Sequence, residues 1–230
     1  MSAAPPTVPG PRGAAWARWV GVFLARIVWN TRAVGRSNVP TDGPFILAAN
    51  HTGLMDGPVV VGVSPRPVHM LVKESMFTGA VGTFLHAAGQ ISVDQDGGRS
   101  ALAAGIGVLR RGGGLGIFPE GNRGRGDVST GHAGVAWLAL NGKAQVVPVA
   151  VLGTRSTGQK VSALPRFRHR IHVEFGEPFL VERRPGTSGK VALEEANVQI
   201  REALSSLVVE AVARTGIALP ADGPEQDAVV

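Results

Sequence analysis

Four short, largely apolar runs constrain this chain most: "PFILAAN" (44–50), "VHMLVK" (68–73), "LGIFPEG" (115–121) and "AQVVPVAVLG" (144–153). Each has the length and composition of a strand buried in a sheet and is bounded by turn-forming residues. Between them lie segments with helical spacing. One begins near Leu54–Pro58 and runs through "VVVGV", a second covers Met76–Ala88, and "TGHAGVAWLALNG" forms another. "RSALAAGIGVLRRG" (99–112) also has helical spacing and closes on a basic turn and glycines, as a helix C-terminus does. "QISVD" (90–94) alternates weakly, "RHRIHVEFGEP" reads as a partly exposed strand, and a closing amphipathic helix covers Val191–Arg214. Strands separated by helices in this way predict an α/β fold: one domain with a largely parallel, mixed central sheet flanked by helices. No internal repeat is present.

At 230 residues the chain can bury one sizeable core, and no linker divides it. The Pro-, Gly- and Ala-rich start, 1–13, reads as a disordered leader without the apolar core of a secretory signal. Residues 219–230 read as a loose tail, which leaves 34–218 as the domain proper. Residues 14–33 form an amphipathic segment around "WARWVGVFLARIVW". At about 100° per residue Trp16, Trp19, Val20, Phe23, Leu24 and Ile27 share one arc, with Arg18 roughly opposite. The stretch is shorter than the ~20 apolar residues that span a bilayer, and Arg18 and Arg26 interrupt it. Two readings follow: a helix packed on the domain, or one lying in a membrane interface. Both hold together if the helix docks on the domain and also faces lipid.

The chain has no cysteine, which excludes disulfides, thiolate metal sites and cysteine nucleophiles. A net charge of +6 favours anionic partners: nucleic acid, acidic headgroups or phosphorylated substrates. There is no G-x-S-x-G elbow and no phosphate-binding P-loop. The "GGGLG" cluster precedes a strand, the wrong order for a dinucleotide turn. Metal binding is not expected either, because His169 and His172 lack a carboxylate in ligand spacing and fall on opposite faces of a strand.

"ANHTGLMDGP" places His51 and Asp56 five residues apart, just past an apolar strand. In a regular helix that step leaves the side chains ~140° apart. They meet only if His51 lies in the turn and Asp56 in the first helical turn, with Thr52-Gly53 making the bend. Asp56 then fixes the imidazole tautomer and frees the other nitrogen as a base; otherwise the histidine is structural. A second fragment, "IFPEGNRGRG" (117–126), follows another buried strand. Its glycines let backbone approach a ligand, and Arg123 and Arg125 offer forked donors for phosphate. The alternative is a solvated Arg-Gly loop.

"NHTGLMD" together with "FPEGNRG" resembles the H-x4-D and F-P-E-G-T-R motifs of the glycerolipid acyltransferases, the 1-acyl-sn-glycerol-3-phosphate acyltransferase family. The likeness runs from about Val34 to Leu180. "VKESMFTGAVGTFLHAAGQISVDQ" is similar to the family's second motif, "VVPVAVLGT" to its fourth and "RIHVEFGEPF" to its closing strand and turn. Two departures stand out: Gln95 where the family commonly has arginine, with Arg99 four residues on as a substitute, and Asn122 where threonine is usual.

The resemblance implies transfer of a fatty acyl group from a thioester, acyl-CoA or acyl carrier protein, to the free hydroxyl of lysophosphatidic acid or a related lysolipid. It implies His51 as base and Asp56 as its orienter, with no enzyme nucleophile. Lys73, Arg99, Glu120, Gly121, Asn122 and Arg123 hold the acceptor or shape its site. No metal or cofactor is implied beyond the thioester co-substrate. The expected partner surface is an anionic membrane, bound peripherally on the cytoplasmic face, and not nucleic acid. The alternatives are transfer to another lysophospholipid or phosphorylated alcohol, or a non-catalytic binder of anionic lipid or nucleic acid. The low aromatic content, 5%, and the lack of an RNA-binding fingerprint count against a nucleic-acid binder.

Overall fold

The computed structural model describes residues 7–94, 98–128 and 133–222; Gln95, with its departure from the family pattern, lies outside the described residues, as do the outer parts of the expected leader and tail. In chain order the elements are α1 (Pro11–Phe23), which continues into a wide helical turn (Leu24–Val28), then β1 (Asn30–Val34), β2 (Phe45–Ala49), α2 (Asp56–Val63) and β3 (Val68–Lys73). They are followed by α3 (Gly79–Ala87), β4 (Ile91–Val93), α4 (Arg99–Arg110), β5 (Gly114–Ile117), α5 (Gly134–Gly142), β6 (Gln145–Leu152), β7 (Arg170–Phe175) and α6 (Gly189–Thr215). The seven strands form one sheet in the order β1-β7-β6-β2-β5-β3-β4. Among the described strand pairs only β6–β7 is antiparallel. The fold is therefore the α/β domain with a largely parallel, mixed sheet that the strand–helix alternation predicts.

All five residues of β2 are buried because both faces of the sheet are covered. Phe45, Leu47 and Ala49 join Val59, Val63, Met70 and Val149 under α2 and the turn after α1. Ile46 and Ala48 face the other way, onto Val108, Leu138 and Ile200 of α4, α5 and α6. Each large apolar side chain buried in these layers contributes about 1.5–3 kcal/mol. The glycines of "GLG" in β5 make this packing possible. A β-carbon at Gly114 would lie 2.2 Å from Phe45 Cζ, and one at Gly116 would lie 2.1 Å from Met70 Sδ. Two large side chains thus occupy the space that small neighbours leave.

The N-terminal segment differs from its sequence reading in three ways. Helix starts at Pro11, inside the expected leader, because proline is preorganised for the first helical position. It ends at Val28, where Trp29 turns extended (φ −117°, ψ 159°) and donates from Nε1 to Pro165 O at 3.1 Å. Residues 30–33, expected to be helical, belong to edge strand β1, paired in parallel with β7. The docking face consists of the small residues Ala14, Ala17, Gly21 and Ala25. A β-carbon on Gly21 would stand 2.6 Å from Gly62 N, so α1 and α2 cross backbone against backbone. Three large members of the apolar arc are left outside, Trp19 68% exposed, Phe23 55% and Ile27 55%, while Leu24 packs partly on the core. Arg18 is not free on that surface, since its Nε donates to Ser64 O at 2.7 Å.

The expected tail also departs from its reading. Ile217 and Leu219 pack on the core patch of Ala150, Leu152, Leu204 and Val208, and residues 221–222 bond back to the domain.

Candidate active site

Parallel strands β6, β2, β5 and β3 lie side by side, so their carboxyl ends open on one edge of the sheet, where α/β folds place their ligands. Each delivers one polar residue there or just beyond: Thr154 after β6, His51 after β2, Glu120 after β5 and Lys73 at the end of β3. Asn50 fastens two of these ends together. Its Nδ2 donates to Val151 O at 3.1 Å and its Oδ1 accepts from Val151 N at 2.7 Å.

The turn after β2 brings His51 and Asp56 together. His51 Nδ1 lies 2.8 Å from Asp56 Oδ2, and Asp56 is the first residue of α2. The same oxygen accepts from Thr52 N at 2.7 Å and Gly53 N at 2.9 Å. The other, Oδ1, accepts a short hydrogen bond from the Thr154 hydroxyl. Asp56 is completely buried, and every partner donates to its carboxylate. Against an ionised Asp56 a neutral imidazole carries its proton on Nδ1, and in that tautomer Nε2 has a free lone pair. The imidazole stacks on Phe118, with ring centroids 3.8 Å apart and planes at 10°. Its backbone is held as well: His51 N donates to Glu120 Oε1 at 2.9 Å, and Gly124 N donates to His51 O at 2.9 Å. The His51 side chain keeps 12% exposure, and its Nε2 makes no hydrogen bond among the described residues.

Glu120 and Gly121 form the turn after β5. Gly121 N donates to Phe118 O at 3.0 Å, and Gly121 takes φ +70°, the left-handed region where glycine carries no steric cost. Burial pushes the Glu120 carboxyl up to about 7; nearby Asp127 and Asp56 add to the rise, and N–H donation from His51 and Gly126 opposes it. Because the folded value lies above the ordinary 4.5, the contribution of Glu120 to stability is fully present only below about 4.5. It falls as pH rises from about 4.5 through about 7, where the unfolded chain releases a proton that the folded chain retains. The full loss is about 3 kcal/mol above that window. Glu120→Gln, which retains an acceptor for His51 N, is expected to lack this term. Urea unfolding at pH 5 and pH 8 should show the variant gaining on the wild type by about that amount. A constant difference between the two proteins at both pH values would mean that Glu120 titrates as an ordinary carboxylate.

Arg123 is half-buried, with Nε enclosed and unpartnered and Nη2 reaching only Met76 Sδ at 3.8 Å. Burial lowers its pKa, and Asp56 pulls the other way. Among the described residues no carboxylate pairs with it, so this is a cation beside the His51–Asp56 pair with donors to spare. Lys73 Nζ donates to Asn122 Oδ1 at the exposed rim. Arg99, the exposed first residue of α4, makes no side-chain hydrogen bond or ion pair among the described residues. Arg125 turns away from the pair and donates from Nε to Ala221 O at 3.0 Å. Sequence reasoning did not single out Thr154, Asn50 or Phe118. Thr154 had one signal, a hydroxyl directly after a glycine at the end of the longest apolar strand. Among the described residues no group of three His, Asp or Glu side chains could hold a metal ion.

The profile of the family described as Acyltransferase matches residues 30–152. The 1-acyl-sn-glycerol-3-phosphate acyltransferase of Bacillus subtilis (strain 168) is 33% identical over 128 residues, covering 54% of this chain and 64% of that protein. The enzyme of the same name from Borreliella burgdorferi is 33% identical over 127 residues, 53% of this chain and 51% of that protein. The chain thus aligns with about half to two thirds of the length of these curated relatives. The crystal structure of the 1-acyl-sn-glycerophosphate (LPA) acyltransferase PlsC from Thermotoga maritima shares the fold, with a TM-score of 0.69 and 23% identity over 87% of this chain and 80% of that one. With the profile spanning more than half of its length, from β1 to the end of β6, the chain belongs to the acyltransferase family.

Proposed function

We propose that this protein transfers a fatty acyl group from acyl-CoA or acyl carrier protein to the free hydroxyl of 1-acyl-glycerol-3-phosphate, giving phosphatidic acid. The observation that carries the reading is the His51–Asp56 pair: a buried carboxylate on Nδ1, on a ring that keeps 12% exposure and whose Nε2 makes no hydrogen bond among the described residues. An alcohol is a weak nucleophile at neutral pH. In this mechanism Nε2 takes the hydroxyl proton as the oxygen attacks the thioester carbonyl, and Asp56 stabilises the imidazolium that forms. The tetrahedral intermediate then collapses. The carbon–sulfur bond breaks, the ester carbonyl re-forms, and His51 returns the proton to the departing thiolate. No group on the protein is acylated, in keeping with the absence of cysteine and of a serine elbow. Arg123, a cation beside this pair with no ion-pair partner among the described residues, suits the acceptor's phosphate, with Lys73 at the rim and Glu120 and Gly121 shaping the turn.

The test is to incubate purified protein with a panel of lysolipids and acyl thioesters and identify the product by mass. Phosphatidic acid should form from the phosphate monoester acceptor in preference to lysolipids with larger headgroups. Preference for a different lysolipid would shift the assignment to that acceptor, and no acyl product from any pair would overturn it.

Both acceptor and product reside in a bilayer, and α1 supports peripheral attachment to the cytoplasmic face. Among the described residues no helix is long and apolar enough to cross a membrane. Trp19, Phe23 and Ile27 are exposed along one line of the helix, and Trp16 stacks edge-on with Phe84 of α3. Five arginines precede the first acidic residue, Asp42, so this region carries positive charge only. Exposed arginines near an anionic surface contribute about 1 kcal/mol each, and the apolar side chains add a salt-independent part. Binding to phosphatidylglycerol vesicles should weaken with salt to a residual level. Trp19→Ser with Phe23→Ser should reduce the residual binding, whereas Arg12→Gln with Arg26→Gln should reduce only the salt-sensitive part. Full activity on vesicles to which the protein does not bind would rule out the attachment.

A further inference from the structure

Arg155 is a buried cation two residues beyond Gly153, and its side chain is 1% exposed. Nη2 donates to Gly124 O at 3.1 Å and to Asp222 O at 2.9 Å. Nη1 donates to Gln159 O at 2.9 Å and to Asp222 Oδ2 at 3.3 Å. One guanidinium therefore joins three stretches of chain distant in sequence: the Arg-Gly loop, the 156–159 turn and the C-terminal segment. The far side of this junction is itself secured. Asp222 Oδ2 accepts from Gly158 N at 3.1 Å, Ala221 N donates to Thr157 Oγ1 at 3.0 Å, and Ala221 O accepts from Arg125 at 3.0 Å.

Gly124 is where this junction meets the site, because its N–H bonds His51 O while its carbonyl takes the Arg155 guanidinium. The loop from Gly121 to Gly126 contains three glycines, and holding each of its residues in one conformation costs roughly 1–2 kcal/mol of entropy. Arg123 sits in the middle of that loop with its Nε buried and unpartnered, and among the described residues it makes no ion pair that would hold it. We propose that Arg155, backed by Asp222, is a positioning residue that fixes the Gly121–Gly126 loop and so aims Arg123 at the acceptor, making residues 221–222 a working part of the acceptor site. The acceptor part of this inference rests on the proposed acyl transfer; the fixing of the loop does not.

Two variants separate these parts: a chain ending after Pro220, which keeps Ile217 and Leu219 in the core, and Arg155→Met in the full chain. Trypsin cleavage after Arg123 and Arg125 should accelerate by about tenfold or more in both, since local opening exposes the loop without global unfolding. Acceptor KM should rise about tenfold, the scale of one lost charged hydrogen bond, with donor KM and melting temperature little changed. Asp222→Asn, which keeps the backbone carbonyl and a side-chain oxygen, should retain most of the wild-type behaviour. If Arg155→Met does not fold, the shortened chain still decides the matter. Unchanged trypsin rates would overturn the inference, as would faster cleavage with an unchanged acceptor KM. If the wild-type protein forms no acyl product, the functional reading falls on that result, and the trypsin rates alone decide whether Arg155 fixes the loop.

Discussion

His51→Ala is expected to lower kcat for acyl transfer by roughly 10²–10⁴-fold, the usual contribution of a positioned general base, while the protein remains folded. The separation of rate from stability follows from how the residue is held. His51 is anchored to its neighbours by its backbone, through Glu120 Oε1 and Gly124 N, and alanine keeps both bonds. Asp56 loses the imidazole donor but retains Thr52 N, Gly53 N and the Thr154 and Thr52 hydroxyls. The ring's stack on Phe118 is lost, at about 0.5–1.5 kcal/mol beyond its area, and water can enter from the exposed edge. Thermal unfolding should therefore move by only a few degrees. Acceptor KM should hold near its wild-type value, because Arg123 and Lys73 are untouched. Steady-state turnover within a few-fold of wild type in a folded His51→Ala protein would eliminate the base mechanism.

How much of this could be read from the chain depended on whether a feature was local. β2, β3 and β6 were legible because a strand covered on both faces must be apolar almost throughout. β1 was not: "NTRAV" is a short edge strand, alternately exposed and half-buried, and it directly follows a helix. Its identity comes from β7, about 140 residues later in the chain. The orientation of α1 was hidden for a different reason. The large apolar side chains define the obvious arc, yet the docked face is the stripe Ala14, Ala17, Gly21, Ala25, where small size permits close backbone contact. That stripe has helical spacing and was present to be read.

In the candidate site, the meeting of His51 and Asp56 depended only on a bend within six residues. Thr154 lies 98 residues from Asp56 and reaches it because β6 happens to be the neighbour of β2, a fact of topology that local pattern does not contain. The same holds for Arg155 and Asp222. The tail looked loose by composition, and only the buried guanidinium that it covers shows why residues 221–222 are ordered.

Asp56→Asn is the companion experiment and separates two roles that alanine would confuse. The carboxylate does structural work in the turn, accepting from Thr52 N and Gly53 N, and it faces the imidazole. Asparagine can preserve the first role. If its carbonyl oxygen takes the place of Oδ2, the two backbone donors and Nδ1–H keep an acceptor. The amide NH₂ then faces the Thr154 hydroxyl, which can rotate to accept. What asparagine cannot supply is negative charge against the imidazolium formed as the hydroxyl is deprotonated. Buried and screened from water, that charge is worth far more than it would be at a surface. The expected result is a fall in kcat of roughly 10²–10⁴-fold with a small loss of stability, the scale at which a buried aspartate supports a catalytic histidine. Asp56→Ala should lose the rate and also unfold more easily, since each buried N–H left without a partner costs about 1–3 kcal/mol. A carboxylate that only shaped the turn would give the reverse pattern, with asparagine turning over normally and alanine losing folded protein but not rate per folded molecule. Measuring kcat per folded molecule alongside urea unfolding for both variants therefore decides whether Asp56 acts on the chemistry or only on the turn that carries His51.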